Sequence, residues 1–321
     1  MFKKKSATKK ALVKKPVPYL FISPWIIGFL VFTAGPLIFS LIMSLFDWPV
    51  TRSPQFVGIE NYKVMFTEDP QFYKSLTITL RFAALFVPLN LIIALALALL
   101  ISQPVKGAKV FRTIFYLPAV VSGVAVSIIW GWILHSEYGV LNYFLKYLGI
   151  EGPSWLVDPK WAIVAIVVAS AWGVGTMMLI FYTDIRSIPK DLYEAASIDG
   201  ASPLRQFFSI TVPIITPTIL FNTITSVISA LQQLTLVLLL TGGGPLRSTY
   251  FYGLMVYNNA FKHHKLGYAS ANAWFMFLVI LFLTLLIFKS SSAWVFYETE
   301  VKKDKPMKKK GGRRREIQQE A

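Results

Sequence analysis

The 321-residue chain contains no cysteine and only three histidines. The first absence excludes a disulfide framework, a thiol nucleophile and any cysteine-based metal site. The histidines are His135 and the adjacent pair His263-His264, which do not make the H-E-x-x-H spacing of a zinc helix. No G-x-x-x-x-G-K-[ST] sequence occurs, so the chain has no phosphate cradle of its own. Charged residues make up only 15%, and no aspartate or glutamate sits in the middle of an apolar run. Intramembrane enzymes use such acids, and proton- or sodium-coupled secondary transporters place them at mid-membrane, so both classes are disfavoured.

Apolar residues dominate, at 55%, with a mean hydropathy of +0.56. Several runs pass the length of about 18 apolar residues that marks a spanning helix. The runs are continuous rather than alternating, which excludes a β-barrel pattern. The expected fold class is therefore an all-α polytopic membrane protein. Six spans are predicted: Tyr19–Phe46, Ser75–Ile101, Ile114–Leu134, Trp161–Thr183, Val212–Leu240 and Ala269–Phe288. The net charge of +16 is concentrated at the two ends, which points to a lipid bilayer and not to nucleic acid as the surface met. With the N-terminus inside, Lys and Arg number 23 on the cytoplasmic side against eight outside. That bias predicts both termini in the cytoplasm. The domain reading is a basic N-terminal tail over 1–17, a membrane domain over 18–290 and a basic C-terminal tail over 291–321.

Between the fourth and fifth spans lies the segment Pro189–Pro213, PKDLYEAASIDGASPLRQFFSITVP. Pro189 suits the first turn of a helix, and Asp191 and Glu194 suit the positive end of its dipole. Gly200 is a stop signal, and Ser202-Pro203 reads as N-cap and first residue of a second short helix. The prediction is a cytoplasmic helix–turn–helix. A connection needs only about 2–8 residues, so a folded hairpin here is expected to meet a partner.

This segment resembles the coupling-loop signature of ABC importer permeases. Glu194-Ala195-Ala196, three residues, Gly200, nine residues, Ile210, one residue and Val212-Pro213 reproduce the family spacing, with Val212 standing where the family has leucine. Asn61-Tyr62 with Phe66, Leu117-Pro118, Thr241-Gly242-Gly243-Gly244-Pro245 and Gly267-Tyr268-Ala269 are similar to the carbohydrate-uptake branch. The resemblance implies the type I importer permease fold of six transmembrane helices with a cytoplasmic coupling helix. It implies a second related permease completing a heterodimer, two copies of a cytoplasmic ABC ATPase that hold the ATP and Mg, and an extracellular or periplasmic solute-binding protein that delivers a sugar. No cofactor is expected on this chain, and the setting is a bacterial or archaeal cytoplasmic membrane. The ATPase-coupling residues implied are Glu194 for a charged contact, Ala195 and Ala196 for close packing, Gly200 for the angle of the hairpin, and Asp199 and Arg205 beside them. Capping and packing of the loop against the membrane domain is the plainer role for the same residues.

The substrate path is read from polarity inside spans. Asn222, Ser226, Ser229 and Gln233 recur at steps of four, three and four, one face of a helix, with Gln232 just beside them. Amides and hydroxyls are the donors and acceptors a neutral sugar needs. The same stripe also fits interhelical hydrogen bonding. The resemblance carries sugar contacts onto Ser226, Ala230 and Gln233, onto Ala169, Gly173 and Thr176, and onto Ala119 and Gly123. Trp172 is a candidate stacking platform. Glycerol 3-phosphate or another small solute remains the alternative cargo. A phosphate favours Arg or Lys facing the cavity, and Arg81 is the only basic residue near a span interior. Asp184 and Arg186 are expected to form a local pair or an interface.

Overall fold

The computed structural model describes residues 17–103 and 106–296. The predicted basic tails lie almost wholly outside these residues. Four helices are long and apolar enough to cross a membrane: Tyr19–Met43, Pro70–Ser102, Thr216–Leu240 and Leu266–Ser291. Two bent pairs bring the number of spans to six. The first pair is Ala108–Val120 with Gly123–Ile133, bent by 103°, and the second is Pro159–Ala171 with Gly175–Ser187, bent by 51°. We number these spans one to six in chain order.

The third and fourth spans were expected as simple runs, and the bends correct that. In span three, Val121 leaves the helix in an extended conformation and Ser122 caps a new helix by accepting from the Ala125 amide. Pro118 sits one turn before the break and has no amide to give the helix. In span four the chain breaks between Ala171 and Gly175. The two bends touch. A Cβ on Gly175 would lie 2.5 Å from the Phe115 carbonyl oxygen and 2.7 Å from the Tyr116 Cα, so only glycine allows this approach.

Span two is the spine. At 33 residues it is about 50 Å long, well beyond the ~30 Å hydrocarbon core. Asp69 caps it by accepting from the Gln71 amide, and Pro70 fills its first position. Its buried residues, among them Phe72, Ser75, Phe82, Phe86, Asn90, Ala94 and Ala98, recur every three or four positions and form one face. In the upper half that face packs Phe82 and Phe86 against Ile166 of span four, Ala230 and Val237 of span five, and Phe251. In the lower half Ala94 and Ala98 meet Met178, Phe181 and Ile215. Small residues here let helices approach where lipid supplies no hydrophobic drive and close contact holds the bundle together.

Span one contrasts with this. None of its residues is buried. A π-helical turn, Leu30–Ala34, lies just before Gly35-Pro36, the local widening that accommodates a proline ring. The span is tied at its end by Trp274 Nε1 donating to Ser40 Oγ at 3.1 Å. Beyond it, β1 (Phe46–Asp47) pairs antiparallel with β2 (Gln55–Phe56). The helix Glu60–Thr67 follows, with Asn61 Nδ2 donating to the carbonyls of Ser44 and Phe46. Tyr62 donates to Ser44 Oγ, so the Asn61-Tyr62 pair staples this short helix to the end of span one.

Candidate functional site

Two regions stand out. The first is the hairpin after span four. Its first helix runs Lys190–Ile198 and its second Pro203–Gln206. Pro189 is the N-cap, with extended backbone, and not the first helical residue as expected. Gly200 has φ +76°, and the chain reverses there through Asp199 N–H to Ala195 O, Gly200 N–H to Ser197 O and Ala201 N–H to Ala196 O. A Cβ at Gly200 would meet nothing within 4 Å, so the requirement is conformational. A side chain in this left-handed region costs about 1–2 kcal/mol. Ser202 accepts from the Arg205 amide, and Gln206 Nε2 ties the two arms by donating to Ser197 Oγ at 2.9 Å and Ala201 O at 3.2 Å.

The hairpin is anchored on one side only. The Tyr193 hydroxyl and Thr211 Oγ1 share a hydrogen bond of 2.8 Å, and Tyr193 and Ile210 pack on the lower core. The other side is open. Glu194, Ala195, Asp199, Gly200 and Arg205 are exposed, and Ala196 is half-buried toward the anchor. Ile198 is 87% exposed and Leu204 69%. Neither Glu194, Asp199 nor Arg205 belongs to an ion pair among the described residues, where the pairs found are Arg52–Asp47 and Lys63–Glu60. Asp184 and Arg186 form no local pair either. Apolar side chains beside unpaired charges on a rigid hairpin are what a protein-binding surface requires.

The second region is a cavity of about 600 Å³ within the bundle. Span two contributes Phe86 and Asn90. The bend of span three contributes Pro118, Ala119 and Gly123, and that of span four Ala169, Ser170, Gly173 and Thr176. Span five contributes Asn222, Thr225, Ser226, Ser229 and Gln233. The structure thus brings the predicted polar stripe, Gly173 and Thr176 to one wall. Among the described residues no Asp, Glu, Lys or Arg lines it, and Arg81 is exposed elsewhere. Gln233 Nε2 donates to Ser170 Oγ at 3.4 Å, joining spans five and four.

Two expected residues, Trp172 and Ala230, fall elsewhere, as does Gln232 beside the stripe. Trp172 does not line the cavity; it packs edge-on against Trp130, with ring centroids 6.2 Å apart. The break in span four turns Gly173 to the wall and leaves the indole outside. Ala230 is buried in the upper core, and Gln232 is exposed beyond the end of the helix Thr216–Leu231. Asn90 was not anticipated. It is the only polar residue between Phe82 and Ile101, and a lone carboxamide in such a run was the signal that pointed to it. Asn90 Nδ2 donates to Ser226 Oγ at 3.4 Å. Asn90 Oδ1 and Asn222 Nδ2 are buried without partners among the described residues.

Six spans, four of them around an uncharged cavity that carries amides and hydroxyls, with an exposed hairpin at one end, are the form of a membrane transport subunit. The family model "Binding-protein-dependent transport system inner membrane component" matches residues 90–297. The chain belongs to this family: it is an ABC importer permease with the type I fold, and a transport subunit rather than an enzyme. It is 41% identical over 286 residues to the probable ABC transporter permease protein YesP of Bacillus subtilis (strain 168), covering 88% of this chain and 92% of that protein. It is 34% identical over 274 residues to the trehalose/maltose transport system permease protein MalF of Thermococcus litoralis, covering 84% and 92%. Among solved structures it is similar to a chain of a bacterial alginate ABC transporter in complex with alginate pentasaccharide-bound periplasmic protein, with a TM-score of 0.77 and 25% identity over 86% of this chain and 94% of that one.

Proposed function

We propose that this permease forms half of the pathway for a neutral sugar or oligosaccharide and receives its drive through the hairpin Pro189–Pro213. The observation that carries the substrate reading is the cavity wall: amides and hydroxyls from spans two, four and five, with no charged side chain. A neutral polyhydroxylated solute finds donors and acceptors there, whereas glycerol 3-phosphate finds no Arg or Lys. The relatives' sugar-transport names support the same class.

In this reading a second, related permease closes the other side of the cavity, and the two form a heterodimer. Two copies of a cytoplasmic ATPase, with ATP and Mg, dock one on each permease. An extracellular or periplasmic binding protein releases the sugar into the cavity, and both termini of this chain lie in the cytoplasm. Glu194 and Arg205 supply charged contacts to the ATPase, Ala195 and Ala196 its close approach, and Asp199-Gly200 the turn that fixes the angle. The hairpin joins spans four and five directly, and both line the cavity. A push on the hairpin is therefore delivered to the walls that hold the solute.

The test is reconstitution of the complete transporter in proteoliposomes with its binding protein, followed by uptake of radiolabelled maltotriose, lactose and raffinose, and of glycerol 3-phosphate. Uptake of a neutral sugar that depends on ATP and binding protein is the expected result. Uptake of glycerol 3-phosphate alone would sink the substrate assignment. Sugar uptake that persists with Glu194→Ala and Gly200→Pro would sink the role of the hairpin.

A further inference from the structure

We propose that Asn90 of span two is a substrate-binding residue whose side-chain carbonyl accepts a hydrogen bond from a hydroxyl group of the transported sugar. The inference rests on the sugar reading above and names a residue outside the polar stripe of span five.

Asn90 is only 7% exposed, yet it belongs to the cavity wall. Its two ends have different circumstances. Nδ2 is engaged, donating to Ser226 Oγ at 3.4 Å. Oδ1 is buried and meets no donor among the described residues. A buried carbonyl oxygen without a donor is costly, and it is most costly inside a membrane, where bulk water does not compensate. If the amide served packing alone, a second helix would be expected to supply the missing partner, as Thr79 does by accepting from the Tyr252 amide and Asn272 by accepting from the Tyr252 hydroxyl in the upper bundle.

Span five presents the converse. Asn222 is 1% exposed, lines the same cavity, and its Nδ2 has no acceptor among the described residues. Asn90 with its unmatched acceptor and Asn222 with its unmatched donor therefore both border one uncharged chamber. A hydroxyl group both donates and accepts, so a sugar carrying several of them satisfies both amides. A carboxylate or phosphate group only accepts, and would leave Asn90 Oδ1 unmatched. Asn90 thus selects for a solute that donates.

The same reconstituted transporter decides the point. Asn90→Leu keeps the branching and heavy-atom count of the side chain, at a somewhat greater volume, and removes both polar atoms. It is expected to raise the KM for the transported sugar about tenfold, while the ATPase and partner permease co-purify with it in wild-type proportion. In a Ser226→Ala background Asn90→Leu is expected to raise KM further, because the contact is with the sugar. An effect that disappears in that background would show that Asn90 only holds Ser226 and would overturn the proposal. An unchanged KM would overturn it too, while leaving the sugar reading intact. Uptake of glycerol 3-phosphate and of no sugar by the wild type would instead remove the reading on which it rests. Should Asn90→Leu fail to assemble, Asn90→Ala, which adds no bulk, is read in the same way. Finally, one singly deoxygenated analogue of the sugar should be transported equally well by wild type and variant; if every analogue still distinguishes the two, no hydroxyl meets Asn90.

Discussion

In the cavity, Asn222 and Ser226 are buried and every polar group in the wall is neutral; on the hairpin, Glu194, Asp199 and Arg205 are all exposed and charged. Solvation explains the division. A charge inside the bundle would have to be desolvated at a cost of several kcal/mol, so recognition there falls to amides and hydroxyls. At the hairpin water solvates a free carboxylate or guanidinium, the kind of group that steers and orients a docking protein. The anchoring differs in the same way. The cavity wall is assembled from four spans, whereas the hairpin, closed on itself by the Tyr193–Thr211 bond, rests on the edge of the lower core through Tyr193 and Ile210. The first region is suited to holding a shape and the second to transmitting a displacement.

Gly175→Leu should abolish the distinction altogether. Its side chain would collide with the backbone of Phe115 and Tyr116 and push the two bends apart. Loss of folded protein is expected, read as a lower melting temperature and poor yield of monodisperse complex, with a destabilisation of about 3 kcal/mol or more. Survival with wild-type stability would mean that the bends do not depend on their contact.

Gly200→Val should separate the regions. The strained turn tilts the second arm, so sugar-stimulated ATP hydrolysis should fall more than about tenfold, consistent with 1–2 kcal/mol or more of misfit. Sugar binding to the assembled complex should persist. If binding and hydrolysis fall together, the hairpin and cavity are not separable.

Glu194→Lys reverses one exposed charge. A loss of ATPase association of about threefold to tenfold is expected, shrinking as salt is raised, since an exposed pair is worth about 1 kcal/mol and is screened. Co-purification across a salt series measures it, and a salt-independent loss would point to packing instead.

In the cavity, Ser226→Ala and Gln233→Ala should each raise the KM for sugar about fivefold, with assembly unchanged. If assembly falls and KM does not, the polar stripe joins helices and does not bind solute. Trp172→Phe is the smallest expected effect, below about twofold in uptake, because the indole packs on Trp130 and not on the chamber.

The spans were legible because each is a continuous apolar run, and the hairpin because Gly200 and Ser202-Pro203 are strong local signals of turn and cap. The bends were not. Pro118 and Ser122 are tolerated within apolar segments, and the close approach of Gly175 to Phe115 and Tyr116, just before the break, joins residues more than fifty positions apart. Trp172 packs on Trp130 rather than lining the cavity, a placement beside the break in span four that hydropathy does not reveal. The polar stripe of span five was readable from its 3–4 spacing because Asn222, Ser226 and Ser229 share the unbroken helix Thr216–Leu231, while Gln233 lies just past its end and still reaches the same cavity. Asn90 gave a signal of polarity alone, without periodicity to say which way it faced.

The uncharged cavity wall has an electrical consequence. A membrane potential does about 2.3 kcal/mol of work per 100 mV on each unit charge moved across it, and none on a neutral solute in a neutral carrier wall. The bilayer's voltage then neither helps nor hinders the cargo. If the drive enters at the hairpin as proposed, accumulation against a gradient draws on that energy alone, and a cell whose membrane has depolarised would lose nothing at this step so long as its nucleotide pool holds.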